Sequence, residues 1–129
     1  MPVFPSMISL HLRYRIWIAE MNFDINVIRI YKDYLRDLIT NNNEPGVENS
    51  VKQFEDTLEV YRTEIDELKN EMHLLKMKLA SYTRRQKEFD YSTYKADDHI
   101  TLRSRYLDFR KKFESLKSEL SVFVTTMSP

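Results

Sequence analysis

Three histidines, an acidic pair beside one of them, and a run of arginines and lysines are the side chains here best able to do chemistry. His11, His73 and His99 fall in three separate segments, and none has a glutamate three residues before it, so the Glu-x-x-His signature of di-iron bundles is absent. Nor is there a His-x-x-x-His pair to hold zinc on one helix face. Asp97-Asp98-His99 offers ligands to a divalent ion. The expected role is that of cap and first-turn residues of a helix, where the carboxylates of Asp97 and Asp98 cap free amides and complement the helix dipole. With no cysteine in the chain there is no thiol nucleophile, no Cys-ligated zinc and no disulfide framework. Serines, aspartates and histidines occur, but no motif or strained turn gathers them, so we expect neither an enzyme nor a cofactor.

The basic residues form a more organised pattern. Arg103, Arg110 and Lys117 recur every seven residues, Arg105 and Lys112 follow the same repeat on the other side of an apolar seam, and a helical hairpin would bring Arg84, Arg85 and Lys87 near Arg103. Together they are a candidate anion-binding stripe for nucleic acid or an acidic protein. The competing reading is a solvated helix face, paired with acids such as Glu71 and shielding the seam with long aliphatic stems. Composition favours the second reading, because 20 Lys and Arg balance 20 Asp and Glu, whereas dedicated nucleic-acid binders carry a basic excess. That balance is uneven along the chain: residues 1–70 hold 8 basic and 12 acidic groups, and residues 71–129 hold 12 and 8.

The elements that must carry these residues are helical. A single glycine, Gly46, in 129 residues cannot supply the positive-φ turns of phosphate-binding loops or tightly turned β-folds. Val51, Phe54, Leu58, Tyr61, Ile65, Leu68, Met72, Leu75, Leu79, Tyr82, Gln86 and Phe89 alternate steps of three and four, a heptad seam that predicts a helix over 47–91. Leu102, Tyr106, Phe109, Phe113, Leu116, Leu120, Phe123 and Met127 predict another over 97–126. Ile8 to Ile18 alternate apolar and polar residues as a β-strand would, yet Met7, Leu10, Tyr14, Trp17, Met21, Ile28, Tyr31, Leu35 and Leu38 fit a heptad seam, and no hairpin turn residue interrupts them. We read this segment as a helix over 6–40, with a β-hairpin as its rival. Asn41 to Gly46 then reverses the chain.

Three long helices with short connections fold up, down and up, so the expected fold is an all-α antiparallel bundle with coiled-coil-like packing, one domain over 1–129. This arrangement sets Leu38 near Phe54 and Phe113 near Leu75. Aromatic residues crowd the seams, where a two-stranded coiled coil prefers Ile, Val and Leu, and favour a three-helix core. Opposite charges five residues apart, Glu64 with Lys69, Glu71 with Lys76 and Arg85 with Asp90, keep dimerisation through the middle helix open. Asp24 stands where the first seam needs an apolar residue, and the expectation is a register-setting acid paired with a residue such as Lys69 across the hairpin.

The residues Trp17, Ile18, Glu20 and Phe23, then Gln53, Phe54, Ile65, Glu67, Leu68 and Lys69, then His99, Leu102, Arg103, Phe109, Phe113, Leu116, Lys117, Glu119, Leu120 and Phe123, resemble a family of small uncharacterised bacterial all-helical proteins. The resemblance covers most of the chain and implies a helical bundle, with no activity attached.

A second apolar stripe, Leu12, Ile16, Phe23, Val27, Ile30 and Tyr34, makes the first helix greasy on more than one side, so it must touch two neighbours or a partner chain. Ile16, Trp17, Phe23 and Val27 are therefore the candidate interaction face. The expected function is a non-enzymatic structural or protein–protein interaction module that self-associates as a dimer or binds another helical protein. An adaptor using the basic stripe is the alternative. No apolar run is long enough to span a bilayer, and a cytoplasmic location is expected from the missing cysteines.

Overall fold

The computed structural model describes residues 7–42, 44–84 and 96–127, with backbone only for 7, 81–84 and 96–98. They form three helices, α1 (Met7–Asn41), α2 (Val47–Arg84) and α3 (Ala96–Met127), and no strand occurs among the described residues. The heptad pattern decides the opening segment. Leu10, Tyr14, Trp17, Met21, Ile28, Leu35 and Leu38 are buried, while Ile8, Leu12 and Ile16, which the strand pattern would have set on one covered face, are exposed. Water drives the sides that bury most apolar area together, and here those sides repeat every three to four residues.

The α1–α2 turn is held by named groups. The Asn42 side-chain oxygen accepts from the Glu44 amide at 2.9 Å, and its side-chain nitrogen donates to the Met127 carbonyl at 2.8 Å, tying the turn to the end of α3. Gly46 has φ +87°, a left-handed conformation that side chains with a Cβ disfavour. Its carbonyl accepts the first α2 hydrogen bond, from the Ser50 amide at 3.0 Å.

The helices run up, down and up. Antiparallel α1 and α2 are pinned by Lys32 with Glu59, Arg36 with Glu55 at 3.0 Å, and Lys69 donating to Asn22. Antiparallel α2 and α3 bring Phe54 to Phe123 and Glu71 to Arg105. Parallel α1 and α3 match Tyr14 with His99, Asp24 with Arg110 and Tyr31 with Ser121.

One register differs from expectation. Phe113 packs on Tyr61 at 5.8 Å, not near Leu75, which lies about four helical turns further along α2. The Tyr61 ring lies against both Phe109, at 5.9 Å, and Phe113, and this aromatic contact sets the register. A reversal centred near residue 94 would have placed Leu75 there. The predicted end of the second helix, residues 85–91, and the seam positions Gln86 and Phe89 lie outside the described residues. The described seam residues of α2, from Val51 to Leu79, pack against α1 and α3 of the same chain.

Candidate functional site

The α1–α3 seam carries the buried polar groups. Asp24 occupies a seam position and is only 1% exposed. Its Oδ1 accepts from Arg110 Nη1 at 3.0 Å, while Oδ2 lies 2.7 Å from Nη2 at an angle that gives charge contact but no hydrogen bond. The expected partner, Lys69, instead reaches Asn22, because residues two apart on a helix point about 200° from one another and only Asn22 faces α2. Arg110 also donates to the Tyr106 hydroxyl at 2.8 Å, and that hydroxyl donates to Glu20. Burial and the Glu20 hydrogen bond push the Tyr106 hydroxyl well above the ordinary phenol range, so it stays protonated. Burial opposes the charge on Arg110, but hydrogen bonds to Asp24 and Tyr106 outweigh it and hold the guanidinium charged.

One turn toward the N-terminal end of α3, the network gives way to rings. Trp17 stacks on Tyr106 at 4.8 Å and lies nearly parallel to His99 at 6.5 Å. His99 is buried, with Nδ1 at 2.7 Å from the Tyr14 hydroxyl. Burial lowers its pKa, and Arg13 and Arg103 lower it further, which favours the neutral imidazole. His99, expected among the cap and first-turn residues, lies in the first turn of α3 and also belongs to the core. Its spacing before Leu102 continues the α3 seam by one step, and that was the signal available in the sequence. His73 is exposed, and among the described residues no three His, Asp or Glu side chains converge as a metal site.

Among the described residues, the basic stripe is divided between the two neighbours of α3. Arg110 and Lys117 turn toward α1, with Lys117 2.9 Å from Glu114, and Arg105 turns toward α2, 2.5 Å from Glu71. Lys112 lies 2.9 Å from Asp108, and its pKa is raised mainly by that hydrogen bond. Arg103 is exposed. The Arg84 side chain, Arg85 and Lys87 lie outside the described residues.

The candidate interaction face divides. Trp17 is buried and Val27 packs against the core, whereas Ile16 and Phe23 are exposed. With Leu12, Ile30 and Tyr34 they make a line of side chains 47–63% exposed along the side of α1 away from α2. Beside this line, an open groove of about 690 Å³ runs between α1 and α3, with Phe23 and Leu107 among its apolar walls and Glu20, Arg110 and Glu114 among its polar ones. The groove's charges are engaged with one another, so what it offers a partner is chiefly apolar contact. No helix among the described residues is long and apolar enough to cross a membrane. No protein-family model, curated protein or solved structure matches the chain.

Proposed function

We propose that this chain is a non-enzymatic helical-bundle interaction module whose contact surface is the outer side of α1. One observation carries the reading: Leu12, Ile16, Phe23, Ile30 and Tyr34 remain exposed at regular helical spacing although the inner side of the same helix already fills the core. Scattered exposed apolar residues are ordinary on soluble proteins, but a continuous line of them along several turns marks a contact site. The exposed apolar residues of α2, Val60, Leu74 and Met77, are separated by charged and polar groups and form no such line. The anion-adaptor reading has less behind it, because four of the five basic side chains described, Arg105, Arg110, Lys112 and Lys117, already touch carboxylates.

The test compares two surfaces. Ile16→Glu with Phe23→Glu should abolish association, read as oligomer mass by light scattering or as capture of a helical partner, with helicity unchanged by circular dichroism. Leu74→Glu on α2 should leave it intact. Equal association in both variants would overturn the proposal.

A further inference from the structure

The outer stripe of α1 reads the same in both directions. Its exposed members Leu12, Ile16, Phe23, Ile30 and Tyr34 follow steps of four, seven, seven and four, with Phe23 at the centre. Such a pattern has an 11-residue repeat, close to the pitch of a straight helix, so the stripe stays on one side of α1. In an isologous antiparallel contact residue i meets j whenever j meets i, so this symmetric spacing sets apolar residue against apolar residue along the whole stripe. We infer that the occupant of this surface is a second copy of the chain, with the two α1 helices antiparallel about a two-fold axis at Phe23. The inference rests on the reading of α1 as the contact surface and adds the identity of the partner.

In that arrangement Phe23 meets Phe23 of the second copy, Ile16 meets its Ile30, Leu12 meets its Tyr34, and the small Ala19 leaves space beside the central rings. Charge supports the same partner. Arg15 and Asp33 are exposed, and neither has an ion-pair partner among the described residues. They stand 18 residues apart, five turns, and so project from the same flank of α1. A two-fold axis at Phe23 sets Arg15 within about 3 Å, along the helix axis, of Asp33 in the second copy, and repeats the pairing at the other end. Leu107 of α3, exposed beside Phe23 in the groove, lies close to the same axis and adds apolar contact.

The chain lacks cysteine, so single cysteines report geometry without interference. Phe23→Cys should cross-link to itself with a short bismaleimide. Leu12→Cys alone should not, but a mixture of Leu12→Cys and Tyr34→Cys chains should. Arg15→Asp and Asp33→Arg should each weaken self-association about tenfold, by placing like charges together twice. Mixing those two variants should restore a heterodimer, because every pair is then opposite in charge. Self-cross-linking of Leu12→Cys, which indicates parallel helices, would overturn the inference, as would failure of the mixed charge variants to associate. A chain monomeric at every concentration would overturn it too. If that monomer still captured another helical protein and lost it on Phe23→Glu, the surface would stand and only the second copy would fall.

Discussion

The two seams that α1 makes inside the bundle are built differently. Against α2 it presents apolar residues to the core and puts charge at the rim, where Glu59 of the Lys32 pair and Arg36 of the Glu55 pair reach into solvent. Against α3 it buries the charge: Asp24 sits in the seam, linked to Arg110, Tyr106 and Glu20. Neighbouring helices joined by a short turn have their register limited by the chain itself. Helices α1 and α3 are remote in sequence and parallel, so nothing covalent stops one sliding along the other by a heptad. A buried acid with one well-placed cation does, because any slip strands it. Polar groups lie where connectivity constrains least.

The sharpest way to break that contrast is to remove one half of the buried pair. Arg110→Met leaves the Asp24 carboxylate enclosed without its cation, and should cost about 3–5 kcal/mol in urea denaturation. Asp24→Leu should cost less, about 1–3 kcal/mol, because the Arg110 side chain is 24% exposed and has Glu20 and Glu114 within 3.7 Å to turn to. The double variant Asp24→Leu with Arg110→Met should recover most of the loss while gaining nothing in specificity. Additive losses would mean that the two residues act independently and that the seam has no buried pair in the energetic sense.

A second comparison uses acid. The folded His99 has its pKa lowered by burial and by Arg13 and Arg103, while unfolded histidine titrates near about 6.5. Above that value both states are neutral and His99 gives no pH dependence. As pH falls through it, the unfolded chain takes up a proton that the folded chain resists, so stability drops. Denaturation midpoints between about pH 7.5 and pH 5.5 should therefore fall more for the native chain than for His99→Gln. Equal slopes would show that the ring cluster around Trp17 does not disfavour the charged imidazole.

The sequence made some of this legible and hid the rest for identifiable reasons. Helix identity was readable because a seven-residue apolar repeat, broken only at Asp24, survives for about nine turns from Met7 to Leu38, and it outweighed the local alternation of Ile8 to Ile18. Asp24 stood out as a polar residue in an apolar seam, but its partner did not. A period says which side of a helix is inward and is silent on which of two inward neighbours a residue faces, so the hairpin neighbour Lys69 was the natural choice and Arg110 the real one. The α2–α3 register was hidden because it depends on how Tyr61 packs against Phe109 and Phe113, a matter of ring shape that spacing cannot express. The outer stripe was visible as excess apolar width. Only the placement of Trp17 and Val27 inward separated its exposed members, Ile16 and Phe23, from the core.

The smallest effect belongs to the rim. Lys32→Ala and Arg36→Ala each remove an α1–α2 ion pair with one partner well exposed, so the charge gains little over water and holds two long side chains at an entropic cost. Each should change stability by about 0.5 kcal/mol or less, and that difference should shrink in high salt. The buried Asp24–Arg110 contribution should persist in the same salt, because ions screen a desolvated pair poorly. If the rim variants proved as costly as Arg110→Met, charge would matter equally at both seams. Register between remote helices would then need another source, and the aromatic packing of Trp17 on Tyr106 would be the place to look.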